Sequence, residues 1–438
     1  MTDRPAPPPG LDALTEHEVQ DLQQFLLYLG SALTAAGEAV NEIQDHLSEV
    51  ARVYGAPDAR FSVLPTGIAV ALDPRRPATL EPTRQLRGGL RLDQTSALFG
   101  VLKAAERGEM RPDDGVRRIH EIVERGPRFR FSVTLFGHMV LTMGICLVLQ
   151  PTPADVALAA AFGVLVAVLK RVGARWTSTQ MIMPVGAAFV VGAATFMLSK
   201  QGWVDADVRS MVAPLVTFLP GAALTMAVVE LSAGEMVTGA SRLVAGTLQL
   251  LLLSFGIVAA AQVVGLPSTD QLVDEQANHF GWWAPWLGVL LVGIGSYLFH
   301  SAPPRSLGWL CLVLYVAWIG QYVGSELFGA YLSGFFGALV MTPVAYLASR
   351  RPTGPPALVS FLPAFWLLVP GAIGLIGIAE YLGQDTVRGI QDLLHTLGSM
   401  IAVALGVLCG YPLYRSLAAP CGGFRGDRWS ACAAGDGR

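Results

Sequence analysis

Through residue 130 the apolar positions alternate with charged ones at helical or strand spacing; beyond it they merge into runs of about 20 with scarcely a charge. Residues 15–36 and 38–55 carry helical spacing, with Val40, Ile43, Leu47 and Val50 on one face. Residues 61–72 read as a strand pair or one bent strand, interrupted at Pro65-Thr66-Gly67. Helices return at 93–109 and 113–125, the second with Pro112 just ahead of it, where a missing N–H costs nothing. Residues 1–14 are Pro-rich and read as disordered. The pattern predicts a small α+β domain over 15–130.

Ten later stretches are apolar enough to cross a bilayer, which takes about 20 residues. They run near 131–150, 154–170, 179–199, 210–230, 237–265, 284–300, 306–323, 328–349, 357–382 and 389–413. The expected fold is a polytopic α-helical membrane protein with ten transmembrane helices behind a cytoplasmic head.

Composition sharpens this reading. The chain of 438 residues is 53% hydrophobic and 14% charged, where a soluble protein carries about 25% charged residues. More than half of its Asp, Glu, Lys and Arg precede residue 131. A net charge of −3 excludes a nucleic-acid binder that works by bulk charge. Cys146, Cys311 and Cys409 lie in apolar segments and Cys421 and Cys432 in the tail, which is no disulfide framework. The first residues, Met-Thr-Asp-Arg-Pro, offer no apolar core for a cleavable signal peptide.

Lys and Arg stay on the cytoplasmic side. They cluster before the first stretch (Arg125, Arg128, Arg130), after the second (Lys170, Arg171, Arg175), and at Arg242, Arg305, Arg350, Arg351 and Arg415. The alternate loops are poorer, holding Lys200, Arg209 and Arg388, and the loop of Asp270, Asp274 and Glu275 falls outside beside Trp282, Trp283 and Trp286. Both termini are therefore expected in the cytoplasm of a multi-pass cell-membrane protein, with 415–438 as a cytoplasmic tail.

A motif repeats within the membrane part. Pro220-Gly221-Ala222 is followed by Glu230, and 150 positions later Pro370-Gly371-Ala372 is followed by Glu380. Glu235, Val237 and Gly239 match Asp385, Val387 and Gly389, and Gly256 matches Gly406. Stretches one to three and six to eight show no comparable register. With five stretches per half, the halves 131–265 and 266–414 must insert in opposite senses, giving a 5+5 inverted repeat of the kind secondary transporters use.

Proline removes a helical hydrogen bond and glycine loosens the backbone, so a mid-membrane Pro-Gly survives only where protein or water lines it. The half-helix that follows presents free N–H groups suited to a carboxylate. That makes Pro220, Gly221, Ala222, Pro370, Gly371 and Ala372 candidate substrate-binding positions. Packing kinks are the plainer alternative. Glu230 and Glu380 lie about 15 Å beyond each proline. Together with Glu235, Asp385, Arg242, His138 and His395 they are candidates for proton coupling or gating, against ordinary roles at helix ends or in packing. Arg242 is either a partner of Glu230 or Glu235 or a snorkelling anchor. Gly37, Glu38 and Glu42 mark a helix start, where carboxylates favour the dipole. His120-Glu121 lacks the second histidine of a zinc helix. No catalytic constellation, metal site or cofactor motif is found, so an enzyme is not expected.

The run Phe218–Leu243 (FLPGAALTMAVVELSAGEMVTGASRL) resembles the signature of the threonine/serine exporter family. Leu368-Val-Pro-Gly-Ala-Ile-Gly resembles that family's C-terminal signature, and Gly37-Glu38 with Glu42 and Pro65-Thr-Gly-Ile68 resemble patterns in its head. The similarity extends over about 35–415. It implies an inner-membrane exporter of threonine and serine driven by the proton-motive force. Relatives split into two subunits are associated with dicarboxylate export, so small organic acids are the alternative cargo. The expected partners are that solute, protons and the bilayer, with no nucleic acid and with a homo-oligomer possible. A membrane-embedded enzyme, a channel or a receptor is the remaining alternative.

Overall fold

The computed structural model describes residues 11, 15–73, 75, 77–82, 89–149, 152–174, 177–203, 208–265, 280–368, 375, 378 and 386–418. The head holds helices α1 (Glu16–Ala36) and α2 (Val40–Val53), strands β1 (Arg60–Leu64), β2 (Gly67–Ala71) and β3 (Thr79–Pro82), and helices α3 (Leu92–Glu106) and α4 (Pro112–Glu124). Thr15 and Glu18 cap each other reciprocally at the start of α1. Gly37 ends α1 at φ +89°, a conformation that costs a residue with Cβ about 1 kcal/mol or more, and three residues later α2 begins. Of the two readings of 61–72, the strand pair holds: Leu64 pairs with Gly67 across a two-residue turn at Pro65-Thr66. The sheet is antiparallel in the order β1-β2-β3, and β3 was not expected. Phe25, Leu29, Leu47, Ile68 and Leu98 form the head's own buried core.

The membrane part holds α5 (Phe131–Val148), α6 (Pro153–Gly173), α7 (Thr177–Lys200), α8 (Val208–Leu215), α9 (Gly221–Ser232) and α10 (Met236–Val264). After these come α11 (Ala284–Phe299), α12 (Leu307–Phe328), α13 (Ala330–Ser349), α14 (Ala357–Leu367) and α15 (Thr386–Ala418). Among the described residues seven helices are long and apolar enough to cross a membrane, and eight if α8 and α9 count as one bent span. The expected stretch 210–230 is thus not one helix but two, meeting at 52°. Of the other expected spans, α11 has 16 residues and α14 has 11, short of the ~20 that span a bilayer unaided. The remainder of 357–382 lies mostly outside the described residues.

The helices pack in matching pairs. Helix α5 packs on α6, and α11 on α12; α7 packs on α10, and α13 on α15. Helix α8 touches α5, α6 and α7, as α14 touches α11, α12 and α13. Close crossings match atom for atom. A Cβ on Gly144 would lie 2.6 Å from Val292 N, and one on Gly295 2.4 Å from Leu141 N. One on Gly137 would meet Leu298 Cβ at 2.6 Å, and one on Gly288 would meet Leu147 Cβ at 3.1 Å. Gly256 faces Val185 O, Ala188 Cβ and Phe189 N, while Gly406 faces Phe335 O, Ala338 Cβ and Leu339 N. At a further crossing the small residue changes sides: Gly192 opposes Ala260, whereas Thr342 opposes Gly410.

The head sits against one end of this bundle. Leu92 N donates to His300 O (3.2 Å), Arg128 to Ala302 O (2.7 Å) and Lys103 Nζ to Ser349 O (3.4 Å). Leu92, Ala302, Leu310 and Val359 form a small apolar core in the seam. The chain leaving α11 and α13 and that entering α12 and α14 therefore share the head's side.

Candidate transport site at the broken helix

The break is built from sequence. Pro214 lies near the end of α8, Val216–Phe218 tighten into a 3₁₀ turn, and Pro220 opens α9 with no side chain capping it. Proline cannot donate to the preceding turn, so carbonyls ahead of it lose their helical partners. Side chains from three other helices meet the turn instead. Lys170 Nζ of α6 donates to Thr217 O (3.4 Å) and lies over the Phe218 ring at 4.6 Å. Gln249 Nε2 of α10 donates to Phe218 O. His138 of α5 bonds Thr217 Oγ1 at 3.1 Å and Gly163 O at 2.8 Å. A carbonyl can only accept, so Nδ1 carries a proton and donates it to Gly163 O.

On the far side of Pro220, Leu224 is the first α9 amide to find a backbone acceptor, Pro220 O at 2.9 Å. The amides of Gly221, Ala222 and Ala223 have no partner among the described residues. A cavity of about 190 Å³ opens beside them, walled by Ala222, Ala223 and Met226 of α9 and by Leu358, Leu362 and Phe365 of α14. Its volume suits a solute of a few heavy atoms rather than a drug-sized ligand. Arg242 of α10 also lines it, and the head roofs it with Ala36, Gly37, Leu90, Leu92 and Thr95.

Three turns into α9, Glu230 is fully buried. Its Oε1 accepts from the head's Val40 N–H at 3.3 Å. Arg242 Nε lies 3.1 Å from its Oε2, close enough to pair but not aligned as a hydrogen bond, and that oxygen has no donor. Arg242 Nη2 donates to Glu38 O at 3.0 Å. Of the alternatives open in the sequence, Arg242 is Glu230's partner rather than Glu235's or a free anchor. Glu235 precedes α10 and its amide bonds Glu230 O (2.9 Å).

The candidate residues thus separate. Ala222 and Arg242 line the cavity and Arg242 pairs with Glu230, while His138 holds the turn ahead of Pro220. His395 is exposed and its ring lies tilted against that of Tyr331, with centroids 4.5 Å apart, and it touches none of these residues. Pro370, Gly371, Ala372, Glu380 and Asp385 lie outside the described residues. Lys170, Thr217 and Gln249 were missed. Lys170 counted as a loop cation, although an amide at Gln249 beside Leu248 and Leu250–Leu253 was a visible anomaly. His120 pairs with Glu124 (3.4 Å) on an exposed face, and no group of His, Cys, Asp or Glu is placed to hold a metal among the described residues.

A head on a multi-span helical bundle, with one span broken at a small cavity, is the build of a membrane transporter. The family model of the putative threonine/serine exporters matches residues 24–264, and the chain belongs to that family. The match takes in the head from within α1 onward, the break and all of α10. No curated protein and no solved structure matches the chain.

Proposed function

We propose that the protein is a secondary exporter of threonine and serine, driven by protons moving inward, with the solute bound where Pro220-Gly221-Ala222 meets its counterpart in the second half. The observation that carries this reading is the capped break. Lys170 and Gln249 donate to the carbonyls before Pro220 and His138 holds the Thr217 hydroxyl, while Ala222 and Ala223 after it line a cavity. A break needed only for bending would not leave donors open on one side.

The five-plus-five inverted architecture, with ten crossings, is supported by the helix pairs and the glycine crossings. Under a shift of 151 residues Gly144 against Val292 becomes Gly295 against Leu141, and Gly137 against Leu298 becomes Gly288 against Leu147. Under a shift of 150 Gly256 and its three neighbours become Gly406 and the matching three. The register invisible in the sequence of the early helices thus extends to α5, α7, α11 and α13. Contacts of the head with Glu230, His300 and Ser349 put alternate helix ends on one side, in agreement with the arginines at 242, 305 and 350. That side is the cytoplasm in this reading.

Glu230 is the favoured coupling group, because it alone of the described candidates is a buried carboxylate with an unfilled acceptor. Glu380 would be its counterpart at the opposite face, with Glu235 and Asp385 flanking them. Both nitrogens of His138 are engaged, which suits it to holding the break. A second cargo, a small dicarboxylate, is favoured by Arg242 and the open amides, all of which suit anions. Counterflow in proteoliposomes decides between them. Threonine- and serine-stimulated exchange supports the reading, and exchange of dicarboxylates alone replaces it with the second.

A further inference from the structure

The cavity is closed on one side by the head. Its roof is the corner where α1 ends and α2 begins, joined to residues 90–95, and Leu90 N donates to Ala35 O (3.2 Å) so that the roof holds together as one piece. Three bonds tie this corner and the neighbouring sheet to the membrane helices: Val40 N–H to Glu230, Arg242 to Glu38 O, and Thr238 Oγ1 to Val63 O at 3.3 Å. The first is unusual. Helix α2 has no side-chain cap of its own at Ala39, and the carboxylate that satisfies its first amide comes from α9, 190 residues away. Helix starts favour an anion, so a membrane carboxylate here is a fastener for the head.

We propose that the corner at residues 36–40 is the inner gate of the cavity and that Glu230 and Arg242 are the latch that holds it shut. The head is then a moving part of the transport cycle. The proposal rests on the reading of the cavity as the solute's path. Among the described residues the head's side of the cavity is walled by Ala36, Gly37, Leu90, Leu92 and Thr95, so solute from that side would reach Ala222 and Ala223 past this corner. The same latch offers a chemical release. A proton on Glu230 removes the charge that caps α2 and that pairs with Arg242, and Arg242 in turn holds Glu38 O. The charged groups around Glu230 are Arg242 and Glu235 on the membrane side and Glu38 on the head, so a proton there leaves Arg242 facing fewer negative charges. Gly37, at φ +89°, supplies the joint on which the corner can turn.

The test uses the full chain with its native cysteines replaced, and Ala223→Cys as a reporter inside the cavity. Inside-out vesicles, which expose the head, are treated with a membrane-impermeant maleimide, with and without threonine. With the latch intact, labelling is slow. Glu230→Gln and Arg242→Ala raise the rate roughly tenfold, which corresponds to about 1.4 kcal/mol removed from the closed state, and Arg242→Lys falls between. Ala51→Cys, buried in the head's core, stays unlabelled in every background and reports that the head is folded. Gly37→Val strains the roof without touching the latch and raises the rate too, so it serves if Glu230→Gln lowers abundance. Equal Ala223→Cys rates in all backgrounds overturn the gate. Protection by threonine bears on the path alone. Raised rates without protection by threonine, serine or a small dicarboxylate keep the gate and remove the path. Protection with unchanged rates keeps the path and removes the gate.

Discussion

Two helices begin within one corner of this molecule, and they are finished differently. Both α2 and α9 start without a side-chain cap of their own. The first amide of α2 is taken by Glu230 from the other unit, whereas the first three amides of α9 have no partner among the described residues and Ala222 and Ala223 line a cavity. An unsatisfied helix start is costly away from water. At α2 the cost is met by docking the head; at α9 it is left open among the described residues. On the reading proposed above, the same backbone feature serves once as a fastener and once as a binding surface.

The strongest way to break this comparison is to abolish the open start. Pro220→Ala with Gly221→Leu would continue α8 into α9 and put a side chain at the cavity, and export is expected to fall to background at normal membrane abundance. Wild-type flux in that variant would remove the binding role of α9. Next in size is the fastener. Glu230→Gln is expected to abolish export driven by an imposed pH gradient while threonine counterflow survives, because exchange needs no net proton cycle. Loss of both, or of neither, separates a packing role from a coupling one. Smaller is Gln249→Leu, which strips Phe218 O of its donor. Leaving a buried carbonyl unpaired costs about 1–3 kcal/mol, so a lowered thermal midpoint and reduced flux are expected together. Unchanged values in both would show that the break needs no cap there.

The smallest effect concerns the residue beside the fastener. Burial, with the Glu42 carboxylate next to it, pushes Glu38 up to about 7 from 4.5. Between those values the folded head holds a proton that the unfolded chain has released. Raising the pH through that window therefore weakens the fold, and above about 7 this group contributes no further change. Glu38→Gln should flatten that part of a melting-temperature profile in detergent. An identical slope in the variant would assign the pH dependence elsewhere.

Much of the architecture was legible, because membrane helices and their punctuation are written in composition. The start of α6 at Thr152-Pro153 and the end of α10 at Gly265 fall where capping chemistry puts them. The break at Pro220 was legible for the same reason. What surrounds it was not. Lys170 reaches Thr217 from a position that charge counting assigns to a loop, and nothing in the sequence says that a long side chain folds back over Phe218. The bond from Val40 to Glu230 joins residues that no local pattern connects. Residues 79–82 were missed because a four-residue strand carries too few alternations to stand out.

The crossing of α7 with α10 keeps its glycine at 192, and the crossing of α13 with α15 keeps its glycine at 410, on the opposite member of the pair. The separation of two helix axes is a property of both surfaces at once, so either helix can give up the volume. Mutations that trade glycine for a larger residue at 192 are therefore expected to be rescued from across the crossing, at Ala260, rather than by any change in α7 itself. On the inverted-repeat reading proposed above, the two halves can lose their likeness residue by residue and still keep their shape, because what is kept is the gap.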